Sequence, residues 1–167
     1  MTDQINMDEA LPRLVLPASL WDELNEHALQ SNPEECCGLI LGDVWERYGR
    51  SVRCRNEMTA LHQENPGLYP RDGRAAFHMD PIDYMKVEEE ARASEEWITA
   101  IYHSHVDFGL YLSDLDVAFA TSESCPFPEA DQLVLSVRDG EVEGMGMFQR
   151  DAGEIPFVGR HVGRGAA

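Results

Sequence analysis

The sequence has 167 residues, 43% of them hydrophobic, and a formal net charge of −18. This length suits one domain with a hydrophobic core. The charge argues against nonspecific nucleic-acid binding, which depends on clustered Lys and Arg, and no apolar run approaches the ~18 residues that cross a membrane. The opening residues, MTDQINMDEALPR, lack the basic start and apolar stretch of a secretory signal. We therefore expect a cytoplasmic protein that contacts neither nucleic acid nor membrane.

The first half of the chain predicts a helix and two strands. Residues 1–13 are expected to form a flexible tail. Apolar residues at helical spacing then predict a helix that opens at Pro17 and ends at Asn32-Pro33. Residues 37–42, CGLILG, predict a buried strand, and residues 44–55 a second one.

Loop residues dominate positions 56–74, a long stretch that we expect to be functional or mobile. Asp80-Pro81 predicts a helix start, with Asp80 as the cap. The β-branched and aromatic run WITAIY, residues 97–102, predicts a central strand that leads into His103.

In the last third of the chain, a loop over residues 106–112 is followed by a helix that begins at Ser113. Asp139-Gly140 lies between two strand-like segments and predicts a hairpin. Residues 156–167 are rich in glycine and are expected to form a flexible tail. The four cysteines include no CxxC pair, so they predict reduced thiols rather than a cysteine zinc knuckle.

His103 and His105 are two positions apart at the predicted strand end. Alternate residues of a strand point to the same side, so both imidazoles can face one point. Zinc favours histidine, and a catalytic site needs a third ligand and an open position. The pair alone is weak evidence for a metal.

Ser113 and Asp116 have two interpretations. The spacing S-x-x-D at a helix start is typical of a capping box. The same spacing places the carboxylate on the first helical turn, where it could face the histidines and complete a zinc site.

Glu35 immediately precedes the predicted buried strand. Such a glutamate is usually a surface residue. If the strand carries it inward, a buried carboxylate beside water at a zinc site would be a suitable general base.

Taken together, Glu35, then His103-Ser104-His105, then Ser113 and Asp116, resemble the JAMM metalloprotease signature of MPN domains. The likeness covers about residues 14–150 and includes Asn56 and the run FHMDP at residues 77–81. Many relatives have proline where this chain has Val106 and Leu112. These two departures leave the loop geometry and the substrate fit open, but they remove no ligand.

The resemblance implies a role for each matched residue. His103, His105 and Asp116 would hold one zinc ion per chain. Glu35 would take a proton from water and pass it to the leaving amine, and Ser113 would donate a hydrogen bond to the oxyanion.

The resemblance also implies the fold and a substrate class. The fold would be mixed α/β, with a curved mixed sheet flanked by helices, as one catalytic domain over residues 14–155. The leading hypothesis is hydrolysis of the amide bond after the C-terminal glycine of a ubiquitin-like or sulfur-carrier β-grasp protein, as peptidase or isopeptidase. The alternatives are a peptidase that releases an amino acid such as cysteine from a carrier adduct, and a noncatalytic scaffold. The sequence leaves open whether the chain is a monomer or a homodimer.

Overall fold

The computed structural model describes residues 3–167. The helices of this part are α1 (Ala18–Ser31), α2 (Met58–Glu64), α3 (Pro81–Ala93) and α4 (Asp114–Thr121). The strands are β1 (Ile5–Asn6), β2 (Leu14–Leu16), β3 (Cys37–Gly42), β4 (Arg50–Cys54), β5 (Trp97–Val106), β6 (Tyr111–Leu112), β7 (Asp131–Arg138), β8 (Glu141–Arg150) and β9 (Phe157–Arg164).

Seven strands form one mixed sheet in the order β2-β9-β8-β7-β5-β3-β4, and β1 pairs with β6 in a two-stranded sheet. The β5–β7 and β2–β9 pairs are parallel, and the other pairs of the large sheet are antiparallel. The strand β5 lies between β3 and β7, in the interior of the sheet. The site residues of β5 therefore lie on a strand that has hydrogen-bonded neighbours on both sides.

The two faces of the sheet bury different helices, because successive strand residues point to opposite sides. On one face, α1 packs through Leu20 and Leu24 against Ile40 of β3. On the other face, α3 packs through Val87 against Leu39. This arrangement confirms the predicted mixed sheet flanked by helices.

Three local predictions are confirmed. Asp80 caps α3 by accepting a hydrogen bond from the backbone N–H of Ile82 at 2.9 Å. Asp139 and Gly140 adopt φ values of 53° and 75° in the β7–β8 hairpin. A two-residue hairpin turn of type I′ requires positive φ at both positions, and its twist then matches that of the flanking strands. The strand predicted at residues 37–42 is β3, buried along its whole length.

The two expected tails are the main correction. Residues 157–164 form β9, paired on both sides with β8 and β2. Near the other end of the chain, β1 pairs with β6, and the Asp8 N–H donates to the Gly159 carbonyl at 2.8 Å. A Cβ at Gly159 would lie 2.8 Å from the Phe148 ring and 3.0 Å from the Asn6 carbonyl. The glycine that suggested a loose tail instead permits close packing.

Two further boundaries differ from prediction. The second strand begins at Arg50 rather than Val44, because Asp43 accepts backbone N–H groups of Trp45 and Glu46 and turns the chain after β3. The stretch 56–74 contains the helix α2, whose start is stabilised by Asn56 Oδ1 accepting from the Met58 N–H at 3.0 Å. The asparagines that suggested a loop flank this helix. Among residues 3–167, no helix has the length and apolar character needed to span a bilayer.

Candidate functional site

The two histidines of the predicted pair lie within β5, not beyond its end. His103 and His105 are 0% and 5% exposed and point to the same side of the strand. Ser104 between them points to the opposite side, where its Oγ accepts the Cys36 N–H at 2.7 Å. The alternation of the strand therefore produces the convergence that the HxH spacing predicts.

Asp116 approaches the histidines from the first turn of α4. Its Oδ2 lies 3.3 Å from His103 Nε2 and 3.4 Å from His105 Nε2, and the two Nε2 atoms are 3.2 Å apart. Ligand atoms held at ~2.1 Å in a tetrahedron around zinc would be about 3.4 Å from one another. The three donor atoms thus form a triangle of the size that a zinc ion requires, and two imidazoles with one carboxylate are a catalytic zinc donor set.

The capping box is present as well. Ser113 Oγ accepts the Asp116 N–H, and the Ser113 N–H donates to Asp116 Oδ2, each at 3.0 Å. The two interpretations of S-x-x-D are therefore compatible, because one carboxylate caps the helix and faces the histidines. Burial opposes ionisation of Asp116, but the neighbouring His103 and His105 hold its pKa well below the ordinary value.

The histidine rings are held by contacts of their own. His105 Nδ1 lies 3.0 Å from the Gly109 carbonyl oxygen, an acceptor, so this contact orients the ring and directs Nε2 toward the cluster. Phe77 stacks on His103 with ring centroids 4.5 Å apart, and Tyr111 packs against His105 at 4.9 Å. His103 Nδ1 is buried and has no hydrogen-bond partner among residues 3–167.

Glu35 is carried inward, as one of its two interpretations predicts. The residue is 4% exposed and borders the same cavity as His105, Ser113 and Asp116. Burial and the neighbouring charge of Asp116, opposed by the charge of Arg71, together raise the pKa of Glu35 to about 9. A carboxyl group whose pKa is shifted this far, beside convergent polar groups in a cavity, is a candidate for proton transfer.

The cavity has a volume of about 870 Å³. Its walls are largely apolar and aromatic, with side chains contributed by Phe77, Tyr84, Phe108, Tyr111, Leu115 and Phe119. A cavity of this size and lining, with a few convergent polar groups, is typical of a ligand site.

The segment Leu110-Tyr111-Leu112 contributes one side chain to the cavity and one to the core. Tyr111 borders the cavity, whereas Leu112 is fully buried and packs in a cluster with Phe148. Leu112 also pairs with Ile5 of β1, so strand pairing fixes the end of the loop immediately before Ser113.

Sequence reasoning missed two contributors to the site. Phe77, which stacks on His103, was noted only as part of the run FHMDP, with no role in the site. Arg71 borders the cavity from within the stretch that was predicted as a loop. Both residues come from the segment 65–79. No local sequence pattern indicates that this segment packs against β5 beside the histidines.

Comparisons with known proteins find relatives in sequence and in fold. The CysO-cysteine peptidase of Mycobacterium tuberculosis is 28% identical over 127 residues, 75% of this chain and 75% of the relative. A solution structure from Desulfitobacterium hafniense has a TM-score of 0.65 at 19% identity and covers 92% of this chain and 94% of its own. One from Salinibacter ruber has a TM-score of 0.59 at 24% identity and covers 91% of each chain. Both structures show the same fold.

The family model for prokaryotic homologs of the JAB domain matches residues 17–142. This range includes the two histidines, Asp116 and Glu35, and it spans most of the chain. The chain belongs to the family of prokaryotic JAB-domain homologs.

Proposed function

We propose that this protein is a zinc-dependent peptidase. It would hydrolyse the amide bond after the C-terminal glycine of a ubiquitin-like or sulfur-carrier β-grasp protein. The observation that carries the proposal is the triangle of His103 Nε2, His105 Nε2 and Asp116 Oδ2, with edges of 3.2 to 3.4 Å, beside the buried carboxyl of Glu35.

The three donor residues fit zinc in type and spacing. Zinc held by them would supply a Lewis acid that polarises the scissile carbonyl and makes water more acidic. The capping box and the Gly109 carbonyl orient Asp116 and His105 through contacts within the protein. Such supporting contacts raise metal affinity because little ordering is left for the binding step.

Glu35 would move the proton. Its carboxylate accepts a proton from the attacking water and delivers it to the leaving nitrogen, so that water and amide give a glycine carboxylate and a free amine. The raised pKa of Glu35 favours its protonated form and therefore suits the second transfer, the delivery of the proton to the leaving nitrogen.

Ser113 would stabilise the developing oxyanion. Its Oγ accepts the Asp116 N–H, which leaves the hydroxyl proton free to donate, and the residue borders the cavity. Loss of one donor of this kind costs roughly 3 kcal/mol of transition-state stabilisation.

The substrate class is supported by the curated relative, whose name describes a peptidase for CysO-cysteine. That name favours a sulfur-carrier protein as the substrate. It also supports a second, narrower form of the proposed function, in which the peptidase releases a single amino acid from the carrier. A noncatalytic scaffold is disfavoured because Glu35 and Ser113 both border the cavity that the donor atoms face.

All four cysteines are free thiols, which suits a reducing compartment. We therefore propose that the enzyme acts in the cytoplasm.

The test combines metal analysis with cleavage. Zinc-reconstituted wild type should bind one zinc ion per chain and release the residue attached to the C-terminal glycine of a β-grasp protein from its host, read by mass spectrometry. Glu35→Gln should keep the zinc and lose at least 100-fold in kcat. His105→Gln should lose the zinc. His161→Gln, which replaces a half-buried histidine of β9 paired with Glu9, should behave as wild type.

Two results would contradict the proposal. One is wild-type protein that binds no zinc after reconstitution. The other is a Glu35→Gln variant that cleaves as fast as wild type.

A further inference from the structure

Arg71 lines the same cavity as Glu35, His105 and Asp116. Of the cavity-lining residues in the described part of the chain, it is the only lysine or arginine. Other arginines, such as Arg47 and Arg50, pair with Asp131 and Glu96. Within residues 3–167, the Arg71 guanidinium has neither a hydrogen bond nor an ion pair. The Arg71 guanidinium is therefore available to an anionic group that enters the cavity.

The segment that carries Arg71 is fixed to the backbone of Glu35. The Glu35 N–H donates to the Gly73 carbonyl at 2.7 Å, and the Gly73 N–H donates to Thr59 Oγ1 at 2.9 Å. A Cβ at Gly73 would lie 3.0 Å from the Glu34 carboxyl carbon, so the segment packs tightly there. Arg71, two residues away, is therefore held on the Glu35 side of the cavity.

Electrostatics agree with this placement. Burial is the main cause of the raised pKa of both Glu35 and Tyr111, and the positive charge of Arg71 opposes it at both residues. Because Glu35 would protonate the leaving nitrogen, Arg71 lies on the side of the leaving group.

The chemistry of the leaving group decides what an arginine there can bind. Guanidinium binds carboxylate through two parallel hydrogen bonds. In an amino acid joined through its α-nitrogen, the carboxylate carbon lies about 2.5 Å from the scissile nitrogen. In an isopeptide, the nitrogen is the ε-nitrogen of a lysine, and no carboxylate lies near it. A cation beside Glu35 thus matches an α-linked terminal residue and not a lysine conjugate.

We propose that Arg71 binds the α-carboxylate of a single amino acid attached to the carrier's C-terminal glycine. Arg71 is then the residue that makes the enzyme specific for C-terminal α-linked adducts over isopeptides. This inference rests on the proposed peptidase function, and it narrows that function to removal of one terminal residue.

The test compares two forms of one substrate. A β-grasp carrier of the host is extended by one cysteine, once with a free C-terminal carboxylate and once with a C-terminal carboxamide. Zinc-loaded wild type should cleave the acid with a kcat/KM about 10- to 100-fold above that of the amide, the range of one charge-assisted contact. Arg71→Gln should lose this preference by slowing acid cleavage alone, and Arg71→Lys should retain part of it. Arg74→Gln, an exposed position outside the cavity, should match wild type.

A binding measurement separates this inference from the proposed function. Glu35→Gln should bind the acid adduct about 10-fold more tightly than the amide adduct in calorimetry, and Glu35→Gln/Arg71→Gln should bind both equally. Equal cleavage or equal binding of acid and amide by protein with Arg71 intact overturns the inference, even if the peptidase function holds. Failure of wild type to cleave either adduct, with selective binding preserved, rejects the peptidase function and leaves the carboxylate site standing.

Discussion

Asp116 Oδ2 accepts the Ser113 N–H at 3.0 Å and lies 3.3 Å and 3.4 Å from the two histidine Nε2 atoms. The capping contact fixes the carboxylate on the first turn of α4, where the partial positive charge of the helix N-terminus favours an anion. A residue that stabilises its own helix in this way is already oriented toward the site. Local sequence could therefore predict both contacts of Asp116, the helix cap and the approach to the histidines, because one carboxylate makes both.

His27 provides a test of pH dependence at a residue away from the site. It is 7% exposed, and its Nδ1 lies 2.7 Å from the Tyr102 hydroxyl. Burial, together with the smaller effect of the Arg53 charge, lowers the pKa of His27 to about 4. In the unfolded chain the pKa is about 6.5. Below pH 6.5 the unfolded state therefore binds the proton first, and stability is lost as the pH falls toward 4.

The measurement compares wild type with His27→Gln in urea unfolding at pH 7.5 and pH 4.5. The full shift would be worth about 3 kcal/mol, and partial screening by solvent reduces our expectation to about 1–2 kcal/mol. The advantage of wild type over the variant should shrink by that amount at pH 4.5. A difference that is the same at both pH values would show that His27 does not contribute in this way.

At the scale of the elements, β3 and β5 approach closely at Gly38 and Tyr102, which are paired in register. A Cβ at Gly38 would lie 2.5 Å from the Tyr102 ring and 2.5 Å from the Val52 carbonyl. Tyr102 is fully buried, and the backbone of β4 cannot move without losing its pairing with β3. Gly38 is therefore required by the packing of three neighbouring strands.

Gly38→Ala should lower the free energy of unfolding by about 2–3 kcal/mol, the upper range for overpacked cores. Gly163→Ala is the matched control, because nothing lies within 4 Å of its Cβ position in β9. That variant should change stability by less than about 1 kcal/mol, and in the stabilising direction. Equal effects of the two substitutions in urea unfolding would contradict the packing account.

The elements also show what the sequence could and could not predict. The strand carrying the histidines, the cap at Asp80 and the hairpin at Asp139-Gly140 follow from short-range patterns, and all three are present. The strand β9 could not be predicted in this way. Its glycines have low strand propensity, and it is held by pairing with β8 and β2, which are distant in sequence.

The same limit applies to the site. Glu35 and the HxH pair are separated by more than sixty residues, and their meeting depends on the pairing of β3 with β5. Phe77 and Arg71 join them from a segment without a strand or helix. The order of the motif residues in the sequence was enough to predict that the five matched residues share one site. Which other side chains line the cavity is shown only by the fold.

At the scale of the whole molecule, charge is the dominant feature. The chain has 31 acidic and 13 basic side chains. Ion pairs such as Arg164–Asp22 and Arg92–Glu88 are exposed at the surface, and pairs of this kind contribute about 0–1 kcal/mol each. Even if every lysine and arginine were paired, 18 acidic groups would remain unneutralised, since 31 − 13 = 18. Self-repulsion among them should therefore outweigh the attraction of the ion pairs.

Salt should stabilise the protein for this reason. Screening shortens the range of repulsion from about 30 Å at 0.01 M ionic strength to about 3 Å at 1 M. We expect the free energy of unfolding at pH 7.5 to rise by about 1–2 kcal/mol between 20 mM and 500 mM NaCl, with an unchanged urea m-value. Near pH 4.5, the isoelectric point, the net charge is small and the same addition of salt should have almost no effect. If salt instead lowers stability at pH 7.5, the surface ion pairs outweigh the net charge; if it stabilises equally at both pH values, its action is not electrostatic.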